Sequence, residues 1–145
     1  MIYTFRLPFL LGSLAALWMT ACGGASVQQP SAELTACTPE FPKAPYTDQR
    51  QQGDTVVMVK SVYVENVQNN DLCWNALKAA ASEQAQGAQV AKLFFFDCPG
   101  HHPALKVDST SLNAEYAAHC IATYERTADG QEKFTPMPFA AAGSH

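Results

Sequence analysis

The sequence predicts an α+β domain in which a small sheet of three to four strands is covered by one helix and stapled by disulfides. Three observations predict it. Residues 55–64 (TVVMVKSVYV) are dense in β-branched side chains, and residues 90–96 (VAKLFFF) form a short apolar run. Between them lies a segment with apolar side chains at helical spacing. Cys37, Cys73, Cys98 and Cys120 are spread across the same stretch.

In chain order, residues 55–64 form the first strand, and residues 66–71 supply turn chemistry. Asp71 is suited to cap a helix running to about residue 86, with Leu72, Ala76, Leu77, Ala80 and Ala81 on one apolar face and Gly87 just past the end. Alanines on that face permit close packing on a sheet. The second strand is residues 90–96, and its unbroken Leu93-Phe94-Phe95-Phe96 run implies burial on both faces, or one face under the helix and the other under a partner. Residues 99–108 read as a loop. Residues 116–127 read as a strand, because Cys120-Ile121-Ala122-Thr123-Tyr124 is rich in β formers; a helix from near Ser111, with Leu112, Tyr116, Cys120 and Tyr124 in one row, is the alternative. Thr127-Ala128-Asp129-Gly130 is a turn, and residues 134–139 could add an edge strand to an otherwise frayed tail.

The N-terminus sets the address. Arg6 gives a short positive region, residues 7–18 an apolar one, and Met19-Thr20-Ala21-Cys22 ends it with small residues before a cysteine, the order of a secretory signal peptide. The run is short of the roughly 20 apolar residues a spanning helix needs. It closely resembles the signal of bacterial lipoproteins, in which a lipobox precedes a cysteine that is diacylated and becomes the new N-terminus; Cys22 matches that cysteine. Burial of acyl chains contributes about 0.8 kcal/mol per CH₂, so several chains on one residue anchor a protein where a single chain would not. Gly23 and Gly24 follow, with no aspartate next to Cys22, which by the same resemblance implies an outer-membrane destination.

This gives a division into a signal peptide (1–21), a lipidated N-terminus with a Pro- and Gln-rich tether (22–53), an α+β domain (54–130) and a C-terminal tail (131–145). A free tether of roughly 30 residues would reach about 30 Å by random-coil scaling. The chain carries a formal net charge of −4, more negative still once Arg6 leaves with the leader, and has no run of Lys or Arg. A nucleic-acid partner needs a basic footprint, and none is present.

With Cys22 acylated, the other four cysteines read as a disulfide framework in an exported chain. Counting leaves three pairings open. Cys98–Cys120 would close the loop between neighbouring strands and Cys37–Cys73 would tie the tether to the helix start; the crossed alternatives need the end of the second strand to meet the tether. Each bridge contributes on the order of 2–4 kcal/mol, which helps a core of this size.

Among residues that could carry chemistry, Cys98, His101, His102, His119 and Cys120 are the only cluster of soft ligands. Thiolate and imidazole suit zinc or copper, so a metal site on His101, His102 and His119 is the alternative functional reading. The spacing matches no established zinc pattern, and oxidation of the cysteines would remove the thiolates. No cofactor is expected. Ser109, a loop histidine and Asp97 could be written as a triad, but no G-x-S-x-G elbow precedes the serine and no Gly-rich phosphate loop follows a strand. Trp74 beside Cys73 invites a redox reading, yet C-x-x-C is absent. The expectation is a non-enzyme.

Cys73 just inside a helix, Gly87-Ala88, Cys98 at the end of an apolar strand and His119-Cys120-Ile121-Ala122 together are similar to the small disulfide-bonded outer-membrane lipoproteins that sense envelope stress for the Rcs phosphorelay. That family has two nested disulfides, and its cysteine between the last two strands has no counterpart here; Cys37 would have to substitute. The resemblance implies a monomeric binding or sensing module, anchored in the outer-membrane bilayer through acylated Cys22, whose partner is an envelope protein or peptidoglycan.

Overall fold

The computed structural model describes residues 36–137. The segment read as a signal peptide, Cys22, the first part of the segment read as a tether and residues 138–145 lie outside them. The described chain is α+β, with five strands in one mixed sheet ordered β1-β2-β3-β4-β5: β1 (Tyr46–Gln52), β2 (Thr55–Tyr63), β3 (Val90–Phe96), β4 (Cys120–Arg126) and β5 (Glu132–Pro136). Helix α1 (Asp71–Gln84) connects β2 to β3, which pair parallel; the other pairings are antiparallel. A short helix, α2 (Ala114–His119), precedes β4.

The sheet is larger than the three to four strands predicted, because a further strand forms ahead of Thr55. β1 lies in the stretch read as tether. Its sequence, YTDQRQQ, is polar and almost wholly exposed, so no apolar alternation marks it. It is an edge strand held by its backbone ladder to β2, from Tyr46↔Ser61 to Gln52↔Thr55. The two-residue turn Gly53-Asp54 joins them, and Gly53 has φ +61°, which only glycine adopts without strain. β5 is the edge strand expected over 134–139, beginning two residues earlier and pairing Phe134 with Tyr124.

Helix α1 begins one residue earlier than expected. Asn70, not Asp71, is the cap: its side chain accepts from the Cys73 N–H at 2.8 Å. The buried stripe is Cys73, Trp74, Leu77 and Ala81, while Leu72, expected inside, is exposed. Trp74 packs with Phe134 at 6.4 Å between ring centroids and donates to Asn69 Oδ1 at 3.2 Å. The last turn of α1 contains no basic residue, and the sheet supplies the cations instead. Lys60 Nζ donates to Gln84 O at 2.5 Å and Arg126 Nη1 to Ala85 O at 3.1 Å, where the carbonyls have no partner within the helix.

Both faces of the sheet are covered. On one, Met58, Val62, Leu93, Phe95, Ala122 and Tyr124 pack with Leu77 and Ala81 of α1. On the other, Val59, Phe94, Phe96 and Cys120 pack with Leu105 and, at the periphery, Val107, Leu112 and Tyr116. The Leu93–Phe96 run is thus buried on both sides, as its sequence predicts. Val107 N–H donates to Asp48 Oδ2 at 2.8 Å, and that bond, aided by Arg50, holds Asp48 below the usual carboxylate range. The contact fastens the covering loop to β1.

The segment read as a strand over 116–127 divides. Its first part is α2, capped by Asn113, whose side chain accepts from Tyr116 N–H at 2.8 Å; its second part is β4. Tyr116 and Tyr124 consequently fall in different clusters, on opposite faces of the sheet.

Cys37 and Cys73 are bonded, with Cα atoms 5.0 Å apart. The expected Cys98–Cys120 bridge is not formed, because Cys120 is a buried free thiol. A register shift between Phe95 and Phe96 brings Cys120 opposite Phe96, and its side chain points into the cluster with Val59 and Leu105. Burial pushes that thiol up to about 11. Cys98 is not a free thiol.

Candidate functional site

The segment leaving β3 folds back at once. His101 N–H donates to Cys98 O at 3.1 Å, closing a turn with Pro99 in its second position. The turn sends consecutive histidines in different directions. His101 swings over Cys98, with Nδ1 3.0 Å from Sγ, and its Nε2 lies 3.0 Å from Glu115 Oε1 on α2. His119, one turn further along α2, places Nδ1 3.1 Å from Asp97 Oδ1, while Asp97 N–H donates to His119 O at 3.1 Å. The His101 and His119 rings lie 4.4 Å apart with 31° between their planes. Two stacked imidazoles, each held by a carboxylate, therefore stand together, and His101 lies against the Cys98 sulfur.

His102 is elsewhere. It is buried, its ring 5.0 Å from Tyr46 and 6.1 Å from Tyr63, and Nδ1 donates to Pro99 O at 2.9 Å. Lys43 Nζ donates to the same carbonyl at 3.4 Å. Tyr63 is pushed up to about 12 by burial and by its bond to Glu65. Burial, helped by the Lys43 charge, lowers His102 from its ordinary value against the opposing pull of the Pro99 bond.

The three histidines of the metal reading do not converge. Both nitrogens of His101 and one of His119 already face partners, and among the described residues no group of three or more His, Cys, Asp and Glu could hold a metal ion. The paper triad is not assembled either: Asp97 meets His119, and Ser109 is exposed in a bridge to Lys106. Sequence reasoning flagged the histidines but missed Glu115 as a partner. Its four-residue spacing to His119 puts both on one face of α2, the signal that could have found it. No family model, curated protein or solved structure matches the chain.

The His102 position makes stability depend on pH. Its folded-state value is depressed, so as pH falls below about 6.5 the unfolded chain takes up a proton that the folded state resists. The contribution is fully present above that pH and is lost as pH falls, until the native ring protonates too. Urea midpoints at pH 7.5, 6.5 and 5.5 are expected to fall less steeply with acid for His102→Phe, which keeps the ring between Tyr46 and Tyr63. An identical slope in both proteins would refute this role.

Proposed function

We propose that the chain is an exported lipoprotein, held at the outer membrane through acylated Cys22, whose α+β domain acts as a non-catalytic binding or sensing module of the envelope. The observation that carries this reading is the order Arg6, apolar run, Met19-Thr20-Ala21-Cys22. The Cys37–Cys73 disulfide supports it, since such bonds persist in oxidising compartments. The polar edge strand β1 and the tether leave the partner, an envelope protein or peptidoglycan, two surfaces to meet.

Labelling cells with a fatty-acid analogue tests the anchor. The wild-type protein is expected to take up label and to fractionate with the outer membrane, and Cys22→Ser to do neither. Label retained by Cys22→Ser would defeat the assignment. So would a Cys22 peptide recovered in disulfide linkage from the mature protein, because a thioether sulfur cannot also form a disulfide. Mild crosslinking in whole envelopes, followed by purification, tests the binding role; a discrete, reproducible partner is the expected result.

A further inference from the structure

The backbone of β1 is turned outward at every second residue. Gln89 N–H donates to Val56 O at 3.0 Å and Val64 N–H to Phe96 O at 3.0 Å, so even-numbered positions along β2 bond toward β3 and odd-numbered ones toward β1. The register pairs those odd-numbered residues with Tyr46, Asp48, Arg50 and Gln52. Thr47, Gln49 and Gln51 therefore present both N–H and C=O at the sheet's edge, where among the described residues β1 pairs with β2 alone. β5, the opposite edge, is guarded by Lys133, by Pro136 and by its length of five residues. β1 has seven residues, no Lys, no Pro and no break in its register. An edge of this kind is a template for another strand.

We infer that β1 is a dimerisation edge, pairing antiparallel with β1 of a second copy of this chain about Gln49. The strand is complementary to itself about that residue: reversed, Thr47 meets Gln51 and Asp48 meets Arg50. The outward-turned Thr47, Gln49 and Gln51 fall opposite one another, so those pairs exchange both backbone hydrogen bonds. Asp48 and Arg50 fall in the closer, non-hydrogen-bonded pairs, where opposite charges attract and like charges repel. Sliding the partner by one pleat, the smallest step that keeps the bonds, sets Asp48 against Asp48 in one direction and Arg50 against Arg50 in the other. The charges thus select one register. Both are held in place within each copy before the strands meet, Asp48 by Val107 N–H and Arg50 by Asp108. The two sheets then run on as one, with both α1 helices on one face and both covering loops on the other. This dimer replaces the monomer that the resemblance implies, and it does not rest on acylation of Cys22. An envelope partner that uses the same edge must first displace the second copy.

The test uses the mature protein oxidised with diamide, followed by peptide mapping. Gln49 lies opposite itself across the two-fold axis, and the Cα atoms of a hydrogen-bonded antiparallel pair are about 5.5 Å apart, within reach of a disulfide. Gln49→Cys is therefore expected to give a dimer linked through residue 49 of both copies, and Gln51→Cys, which faces Thr47, to give roughly tenfold less. Both positions are exposed and share one face of the strand, so reactivity alone does not separate them. Mixing Thr47→Cys with Gln51→Cys should restore the link. Adding Arg50→Glu to Gln49→Cys sets a carboxylate opposite the partner's Asp48 and should lower the yield several-fold. Gln49→Pro removes an N–H that β2 does not use, and is expected to keep a cooperative urea transition while sedimenting as a monomer at concentrations where the wild type is a dimer. In the wild type, amide exchange at Thr47, Gln49 and Gln51 should slow as concentration rises. Protection there that ignores dilution would mean that another segment of the same chain covers the edge, and would overturn the inference. So would equal linking at residues 49 and 51, or none at either.

Discussion

Phe95→Ala is expected to lower folding stability by about 3–5 kcal/mol, read as a fall in urea midpoint at constant slope. Phe95 is fully buried in β3, the middle strand of the sheet, and packs in the cluster formed with α1. The same cluster includes Ala81 of the helix, Ala85 at its C-terminal cap and Ala122 of β4. Small side chains let the helix sit close to the sheet, and the aromatic ring fills the space they leave. Removing the ring therefore opens a cavity that alanines cannot move to fill. A domain whose total stability is on the order of 5–15 kcal/mol loses a large share of it. Leu72→Ala, on the exposed face of α1, is the control and should stay within about 0.5 kcal/mol. A loss below about 1 kcal/mol for Phe95→Ala would mean that the core closes around the gap.

The parts of the fold legible in the sequence are those where burial selects side chains. β2, α1 and β3 bury apolar residues against one another, so each carries its own period, and the Leu93–Phe96 run announces a strand covered on both sides. β1 escapes because its stabilisation is in the backbone ladder and in charged contacts of Asp48 and Arg50, which leave no apolar pattern; only Gly53-Asp54 hinted at a hairpin. α2 has six residues and buries none of them, so helical periodicity had nothing to mark. What holds it is local: the Asn113 cap at one end and the two histidine–carboxylate pairs.

The same distinction governs the candidate site. The histidines were visible as residue types, but which of them meet depends on the turn at Cys98–His101 and on a register shift in β4. Both are set by tertiary contacts. That shift also directs Cys120 into the apolar cluster, which is why a bridge that suits the strand order does not form.

The second large effect is expected at the bridge that does form. Replacing Cys37 and Cys73 together by Ala should cost about 4 kcal/mol in the chain-entropy account for a loop closed across a sequence separation of 36 residues. The effect should be concentrated at one edge of the molecule. Cys73 sits in the first turn of α1, fixed by the Asn70 cap, whereas Cys37 stands at the start of a stretch whose backbone meets the rest of the domain at the Glu40–Glu65 bridge before β1 begins. Cutting the covalent link leaves β1 dependent on its ladder to β2 and on the contacts of Asp48 and Arg50 with the covering loop. Amide exchange in the double variant should accelerate first in Tyr46–Gln52, with β2, β3 and β4 protected until global unfolding. Substituting both partners avoids a stray thiol and leaves Cys98 as it was. Wild-type urea midpoints shared by the variant, or loss of protection spread evenly over all five strands, would show that the bridge does not restrain this edge.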